Sequence, residues 1–552
     1  MPELLRSSLL WAGLLFVVPA GAAVTQTPQD RADPSVIEQD LRDPRKLPSG
    51  DTGRQLPVDP RDPGSALERP IAVRSIRLIG ASALPASAYA PVILPYKNRT
   101  LGGAELQDLA TAVAEAARRS GYGLASAWIP EQTVEGGLLT VEVDEGRIDA
   151  VRIEGDAAAV VRPYLEPLAT GGPVRTEALE RALMLTGDLP GVAVGKPRIE
   201  RVDGRTMLVV DVEYDPEQGR VSLDNWGSGT VGPVRAHLAV DFNGVLTGDD
   251  RLTIGGVVTP LDPEEFGLIR LAYSAAVGVN GTEVTISGYG ARSRPGGILS
   301  DREFEGQSLE GSIALNHPLV RSRRFSLWSE AEFTVRDSEQ SLADITVRKD
   351  RFAIAKASAF STAELAGGLL RARIAGSRGL GILDATREGD PMRSRRDGSA
   401  IFSKIEFWAD YDRPLFGPFS LQLQAEGQAA SRPLLSSEEM GLGGRYFLRG
   451  YDYREFSGDK GIAGSVELRL DIPELGAPLR SAQLYGYADA GSVSNYGTGT
   501  GGGSLASAGG GIRAFLRPQL DAALEVGVPL KDGANRDDGR DPRISFVIGS
   551  RF

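Results

Sequence analysis

The sequence predicts a β-dominated protein: a transmembrane antiparallel β-barrel of sixteen strands, preceded by two small α+β domains. Three observations predict this architecture. The chain opens with an apolar segment typical of a secretory signal, a pattern of strands and helices occurs twice between residues 71 and 215, and alternating strands fill the chain from residue 216 to its end. Residues 216–552 provide about 21 residues for each strand and its loop, against roughly 9–11 for a strand that spans a membrane.

The composition agrees with a barrel and excludes a helical membrane protein. Charged residues make up 24% of the chain, hydrophobic residues 41%, and the net charge is -12. A helical membrane protein needs several apolar runs of about 20 residues. In a membrane β-barrel, lipid-facing and lumen-facing residues alternate, so the mean hydropathy stays near that of a soluble protein. The acidic balance also argues against a nucleic-acid partner.

The first 70 residues indicate export followed by a linker. Residues 1–23 combine Arg6, an apolar run over residues 9–18 and small residues at 20–22, which is typical of a cleaved signal peptide and too short to span a membrane. Residues 24–70 are rich in proline and form a predicted linker. Within it, Ser35–Arg42 can form a short helix that Ser35 caps and Pro44 ends.

Two copies of a strand-helix-helix-strand-strand unit follow, at residues 71–147 and 148–215. The strand and glycine turn at residues 76–80 recur at residues 151–155, and the alternating strand at residues 139–143 recurs at residues 208–212. Between these strands, apolar residues recur at helical spacing in both copies. We call residues 71–147 the first domain and residues 148–215 the second domain.

Residues 216–552 carry the predicted barrel. Their alternating segments are bounded by Gly, Asp, Asn or Pro, as antiparallel strands are; clear examples are 235–242, 282–290, 325–335, 403–411, 420–428, 465–471 and 521–528. The last strand ends on Phe552, an aromatic suited to the lipid interface. In a closed barrel this strand pairs with the first one and removes both exposed edges.

The sequence predicts no catalytic residues, no metal site and no cofactor. The chain has no cysteine and only two histidines, and it lacks both the Gly-x-Ser-x-Gly motif of many hydrolases and a P-loop. The pattern at residues 227–232 has the glycine spacing of a dinucleotide fingerprint, but a strand follows it where a helix is required, so we interpret it as a turn.

Several motifs resemble one family. The repeated unit resembles the polypeptide-transport-associated (POTRA) domain, and two such units before a sixteen-stranded barrel resemble two-partner secretion transporters, in the superfamily of the barrel-assembly protein. Local matches are the Leu-Pro-Gly turn at 189–191, the barrel-start motif Asp224, Asn225 and Gly227, the loop motif Leu448, Arg449, Gly450 and Tyr451, the strand around Asp489 that receives this loop, and the C-terminal assembly signal Phe552.

A physical argument supports pairing the loop motif with the acid. A loop folded into a wet lumen needs an anchor, and Arg449 with Asp489 can form a charge-assisted, two-pronged pair. Gly450 permits a tight backbone approach to the wall, and Tyr451 supplies apolar area and a hydroxyl.

The resemblance implies export of a secreted partner protein, adhesin-like or haemolysin-like, from the periplasm to the cell surface without ATP. The domains would bind this partner in the periplasm, and the barrel would lie among outer-membrane lipids after insertion by the barrel-assembly machinery. The helix at Ser35–Arg42 resembles the family's plug helix, although it is short. Two alternatives remain open: a factor that inserts other barrels into the membrane, and a passive porin.

Overall fold

The computed structural model describes residues 28–42, 70–203, 205–497, 502–517, 519–533 and 540–552. The predicted signal peptide at residues 1–23 and most of the predicted linker at residues 24–70 lie outside these ranges. The described part of the linker forms two short helices, α1 (Pro28–Arg31) and α2 (Pro34–Leu41).

The first domain packs two helices against a small sheet. Its elements are β1 (Ile71–Val73), β2 (Ser75–Ile79), α3 (Ala86–Ile93), β3 (Arg99–Leu101), α4 (Gly103–Arg119), β4 (Ser126–Trp128) and β5 (Leu138–Asp144). Strand β5 pairs in parallel with β2 and antiparallel with β4, while β1 pairs with β3. The apolar stripe of α4, with Leu109 and Val113, packs on Leu139 and Val141 of β5 in one buried core.

The second domain repeats the plan. Its elements are β6 (Ala150–Glu154), α5 (Ala158–Leu165), α6 (Thr176–Gly187), β7 (Val192–Val194), β8 (Arg198–Val202) and β9 (Arg205–Tyr214). Strand β9 is central: it pairs in parallel with β6 and antiparallel with β7 and β8. Leu208 and Val210 of β9 pack against Leu179 of α6 in a second apolar core.

The remaining chain closes into a barrel of sixteen antiparallel strands, so the predicted fold class is confirmed. The barrel strands are β10 (Glu217–Asp224), β11 (Arg235–Asn243), β12 (Asp250–Val258), β13 (Phe266–Val277), β14 (Thr282–Ser293), β15 (Phe304–Arg321), β16 (Phe325–Leu342), β17 (Ile345–Leu365), β18 (Gly368–Gly379), β19 (Ser403–Pro414), β20 (Phe419–Ala430), β23 (Lys460–Ile472), β24 (Ser481–Ser494), β25 (Gly503–Arg517), β26 (Leu520–Pro529) and β27 (Arg543–Arg551). Two short strands, β21 (Met440–Leu442) and β22 (Phe456–Gly458), pair with each other in the loop that precedes β23.

The barrel wall is apolar outside and polar inside. On β13 and β15 the outward residues Ile269 and Leu309 are 66% and 68% exposed, whereas the inward neighbours Leu268 and Glu310 are buried. This alternation is the period-two pattern of strands with lipid on one side and water on the other. No helix among the described residues is long and apolar enough to cross a membrane.

Helix α2 lies inside the barrel. Its Glu38 is fully buried and pairs with Arg270 of β13, and Arg42, just after the helix, donates to Glu310 of β15 at 2.7 Å. The prediction that Ser35 caps this helix is wrong. The carboxylate of Asp33 accepts the Ser35 N–H at 2.8 Å, because the helix begins at Pro34 and Asp33 is therefore its N-cap.

The second domain rests on one end of the barrel, which we call the domain end. Asp188, after α6, accepts two hydrogen bonds from Arg321 at the end of β15, at 2.6 and 2.8 Å. The Tyr164 hydroxyl donates to the Gly278 carbonyl at 3.4 Å, and burial raises the pKa of Tyr164 to about 12, so the hydroxyl keeps its proton at neutral pH. These contacts fix the second domain over the barrel mouth.

Candidate functional site

The segment between β20 and β23, residues 431–459, folds back into the barrel. Its strands β21 and β22 form a short ladder, and Gly443 and Gly444, with φ of 101° and 115°, turn the chain after β21. Most of its side chains are buried, in contrast to an ordinary surface loop. A loop of this length in a compact protein usually has a function of its own, and we call it the inner loop.

Arg449, near the tip of the inner loop, is held by Asp489 of β24. The Arg449 side chain donates from Nε and Nη2 to the two Asp489 oxygens at 3.1 and 3.2 Å, and the Arg449 N–H adds a third bond at 3.1 Å. The guanidinium also stacks on the ring of Tyr487, with Cζ 3.4 Å from the centroid. Arg449 is only 7% exposed. The planar guanidinium of Arg449 therefore donates hydrogen bonds from its edge and stacks on an aromatic ring with its face.

Two further carboxylates complete the site. Arg449 Nη1 lies 2.8 Å from Glu467 of β23 and 3.3 Å from Glu525 of β26. Arg513 of β25 donates to the same Glu467 at 2.8 Å, and the Tyr485 hydroxyl donates to Glu525 at 2.9 Å. Each buried charge is thus paired, and removing one partner of such a pair typically costs about 3–5 kcal/mol.

The residues beside Arg449 fit the wall closely. Leu448 is fully buried in an apolar cluster with Leu442 and Phe456. A Cβ on Gly450 would lie 3.0 Å from backbone atoms at Val528 and Pro529, so a larger residue would require the loop or the wall to shift. The Tyr451 hydroxyl lies 2.8 Å from the Ala506 carbonyl and 2.7 Å from the Lys531 carbonyl. The loop motif consequently contacts four consecutive strands, β23 to β26.

The structure brings Arg449 and Asp489 together, and it adds partners that the sequence did not single out. Glu467 and Glu525 lie in segments recognised as alternating strands, and Tyr487 lies in the segment that resembles the receiving strand. Their inward direction follows from the alternation once a register is known. The sequence offered no signal that distinguishes them from other inward acids, such as Glu330 and Glu406.

The barrel-start motif lies where the first and last strands meet, a contact that we call the seam. Asp224 ends β10, and its carboxylate lies 3.0 Å from Nε2 of His237. The Asn225 side chain accepts the Phe546 N–H at 2.7 Å and donates to the Ile544 carbonyl at 2.9 Å, so it extends the ladder with β27. A Cβ on Gly227 would lie 1.8 Å from the Gly232 carbonyl oxygen, which excludes any larger residue.

Phe552 lies at the other end of the seam, on the domain end of the barrel. Its N–H and carbonyl exchange hydrogen bonds of 3.0 and 2.8 Å with Gly219, and a Cβ on Gly219 would clash with the Phe552 ring. Phe552 is 67% exposed, as expected for a residue that faces lipid. It does not contact the inner loop, whereas Trp226, within the barrel-start motif, lines the same cavity of about 150 Å³ as Arg449.

The groups at this site can anchor the inner loop to the barrel wall. The site presents guanidinium, carboxylate and phenol groups that pair with one another, which suits a reversible anchor in a water-filled lumen. Across the described ranges, no three His, Asp or Glu side chains lie together as a metal site requires.

Comparison with known families identifies two regions. Residues 204–514 match the model described as "Haemolysin secretion/activation protein ShlB/FhaC/HecB", which covers more than half of the chain. Residues 71–146 match the model "POTRA domain, ShlB-type".

Individual proteins are similar over most of their length. The Heme/hemopexin transporter protein HuxB of Haemophilus influenzae is 21% identical over 474 residues, 81% of each chain. The Outer membrane transporter CdiB of Dickeya dadantii is 23% identical over 432 residues, 75% of each chain. The solved structure of CdiB from Escherichia coli superposes with a TM-score of 0.73 at 20% identity, over 96% of this chain and all of that one.

Proposed function

Because this chain belongs to the haemolysin secretion/activation protein family and exports a partner protein across the outer membrane, we propose a role in that export for each part of the structure. The domain end of the barrel faces the periplasm, where the POTRA domains lie, and the opposite end faces the cell exterior. The partner enters from the domains and leaves at the far end.

The first and second domains, with boundaries at 71–147 and 148–215, bind the partner while it is extended. Within the described residues, β2 pairs only with β5 and is an edge of its sheet, and β6 is an edge in the second domain. An extended peptide can add to such an edge through main-chain hydrogen bonds, with side-chain pockets giving selectivity. We propose that the partner is an adhesin-like or haemolysin-like secreted protein, in line with the haemolysin secretion/activation family to which the chain belongs.

The two domains present these edges in a fixed relation. The Thr176 hydroxyl, at the start of α6, donates to the Gly121 carbonyl at 3.1 Å and accepts the Gly123 N–H at 2.7 Å. The Arg175 guanidinium lies over the ring of Tyr122, 5.7 Å from its centroid. A rigid tandem can therefore pass the partner from one edge to the next without losing its alignment with the barrel mouth.

The barrel is the conduit, and α2 closes it at rest. The helix is held by polar contacts such as Glu38 with Arg270 and Arg42 with Glu310. Each of these charges can pair instead with a charged group of the partner chain, so the helix can leave when the partner competes for the lumen. The short helix is thus suited to be a removable plug.

The inner loop holds the conduit in the transport-competent form. The observation that carries this role is the network around Arg449, which fastens one loop to strands β23, β24 and β26. We assign no catalytic step and no nucleotide to this protein. Folding of the emerged partner outside the cell draws the chain forward, and Phe552 serves earlier, as the signal for assembly into the membrane.

Secretion of a co-expressed candidate partner tests this function. We expect Arg449→Ala to abolish secretion while the barrel stays folded, as judged by its heat-dependent gel mobility. Arg540→Ala, at an exposed ion pair with Asp532 outside both domains and outside the Arg449 network, is the matched control and should secrete normally. Normal secretion by Arg449→Ala would refute the role of the loop. If Arg449→Ala secretes the partner normally but unrelated outer-membrane proteins are inserted poorly, the alternative function, a factor that inserts other barrels into the membrane, would be favoured.

A further inference from the structure

Asp452, directly after the loop motif, is shared by two arginines from distant parts of the chain. Its Oδ2 pairs with Arg31, in the N-terminal helical segment, and its Oδ1 lies 3.3 Å from Nη1 of Arg543, the first residue of β27. The Asp452 carboxylate therefore contacts both the N-terminal helical segment inside the barrel and β27, the strand that pairs with β10 at the seam. None of the sequence motifs indicated this arrangement.

Arg543 connects the inner loop to the turn after β10. Its Nη1 donates to the Tyr451 carbonyl at 2.7 Å, and its Nη2 lies 3.3 Å from the Gly227 carbonyl and 3.5 Å from the Asn225 carbonyl. Its guanidinium also lies over the ring of Trp226, 5.2 Å from the centroid. A single side chain thus spans the inner loop and the turn whose Asn225 extends the seam ladder.

The seam is the shortest pairing in this part of the barrel. Strands β10 and β27 share five residue pairs, whereas β10 and β11 share eight. The two side-chain bonds of Asn225 to β27 lie just beyond those five pairs. A change in the position of the 225–227 turn therefore acts on a large share of the seam.

Tyr453 provides a second contact between the inner loop and the N-terminal helical segment. The Tyr453 ring lies between two guanidiniums, Arg31 at 5.2 Å and Arg235 at 5.5 Å from its centroid, and its hydroxyl donates to the Arg31 carbonyl. Arg235 opens β11, the neighbour of β10. The N-terminal segment is consequently joined to both sides of the turn that follows β10.

We propose that Asp452 and Arg543 couple the presence of the N-terminal helix in the barrel to the pairing of the seam. While Arg31 occupies one oxygen of Asp452, Arg543 divides its donors between Asp452 and the carbonyls of the 225–227 turn. When Arg31 leaves with the helix, both Asp452 oxygens become available to the Arg543 fork, because a carboxylate binds a guanidinium best in a two-pronged pair. Arg543 then releases the turn, and the seam loosens.

This inference rests on the proposed departure of α2 during export, but its test needs no partner protein. The chain has no cysteine, so Leu223→Cys and Ile548→Cys, an outward-facing pair across the seam, form the only disulfide that can appear. The pair Leu238→Cys and Gly256→Cys, between β11 and β12, is the control for general loosening of the wall. Disulfide yield is measured in outer membranes under mild oxidation, in barrels whose folding is verified by heat-dependent mobility.

We expect Arg31→Ala and Arg543→Ala each to lower the yield at the seam roughly three- to tenfold, the scale of coupling within one ionic network, with no change in the control pair. Asp452→Asn should keep the wild-type yield, because Arg543 then stays on the 225–227 turn, and it should abolish the effect of Arg31→Ala. The double variant Arg31→Ala with Arg543→Ala should be no lower than Arg543→Ala alone.

Three results would overturn the coupling: an unchanged seam in Arg31→Ala, additive losses in the double variant, or an equal loss in the control pair. Failure of this test would leave the proposed export intact, since secretion by the same variants is measured separately.

Discussion

The interior of the first domain is apolar, whereas the interior of the barrel is ionic. Beneath α4, Leu109 and Val113 pack on Leu139 with no solvent contact. Inside the barrel, the buried Arg449 is surrounded by Asp489, Glu467 and Glu525. The two interiors follow from the two solvents, because a barrel in lipid turns its apolar residues outward and leaves its polar ones inside.

This difference explains which parts of the molecule can move. An apolar core is held by the cost of exposing it to water, so opening it means unfolding the domain. Ionic contacts in the lumen can be exchanged for those of a helix or a passing chain, because a new charged partner replaces the old one and no apolar surface has to be exposed to water. The domains are therefore suited to fixed recognition, and the contents of the barrel are suited to rearrangement.

The largest effect should come from the ionic interior. Arg449→Ala and Asp489→Ala each leave buried charges without a partner, so each should lower the stability of the inner-loop anchor by about 3–5 kcal/mol. The double variant should lose much less than the sum, because neither charge is then left alone. Urea unfolding of the barrel in detergent, followed by tryptophan fluorescence, measures both quantities. Additive losses would show that the pair does not act as a unit.

The apolar interior provides a comparable but local effect. Leu109→Ala removes a fully buried side chain and should cost the first domain about 2–5 kcal/mol. Hydrogen exchange over residues 103–119 should accelerate, while the heat-dependent mobility of the barrel stays as in the wild type. Leu94→Ala, at a position that is 60% exposed, is the control. A change in the barrel would contradict the separation of the two interiors.

Glu145 is a buried acid in the otherwise apolar interior of the first domain, and it makes the stability of that domain depend on pH. Burial of Glu145, which is 2% exposed, acts to raise its pKa, but hydrogen bonds from the Ala83, Ser82 and Leu84 N–H groups and the Tyr89 hydroxyl outweigh burial and hold the pKa below its usual value. A carboxylate with a lowered folded-state pKa stabilises the domain above the unfolded pKa of about 4.3. That contribution is lost as the pH falls through the folded value.

We therefore expect the first domain to lose stability as the pH falls below the unfolded-state pKa of about 4.3, and to lose the whole contribution once the pH has passed the lower folded-state pKa of Glu145. Glu145→Gln should cost about 1–3 kcal/mol at neutral pH and flatten this dependence. The measurement is thermal unfolding of the full chain at pH values from 3 to 7, with hydrogen exchange in the first domain as the readout. An equally steep acid loss in Glu145→Gln would assign the transition to other carboxylates.

The smallest effect is expected where neither kind of interior is involved. Arg162→Ala removes an exposed pair with Glu166 on the surface of α5, and such pairs contribute about 0.3–0.5 kcal/mol. Thermal unfolding should barely shift, and the shift should vanish at high salt. A loss as large as that of Leu109→Ala would show that α5 depends on this surface pair.

The sequence predicted the apolar interior of the first domain better than the ionic interior of the barrel. The helix around Leu109 and Val113 follows from its apolar spacing, and the strands follow from period-two alternation and glycine turns. The pairing of Arg449 with Asp489 was expected only through a family resemblance. Glu467 and Glu525 were missed, because an inward acid on an alternating strand looks like any other inward acid until the register is known.

The N-terminal segment shows the same limit. Its helix was expected from Ser35 to Arg42, and the structure has it at Pro34–Leu41 with Asp33 as the cap. Local sequence indicated a weak helix, and isolated helices this short are marginal in water. The contacts of Glu38 and Arg42 with barrel strands place it in the lumen, and these come from residues more than two hundred positions away.

By itself, the sequence determined the strands, the two repeated domains and the alternation that sends apolar residues to lipid and polar residues inward. These properties depend on neighbours a few positions apart, where periodicity and turn residues act directly. Only the tertiary structure decided which charges meet, such as Arg31 and Arg543 on one Asp452. The physical reason is that closing a barrel brings distant strands into one register, and electrostatic pairing depends on distance in space and not on distance along the chain.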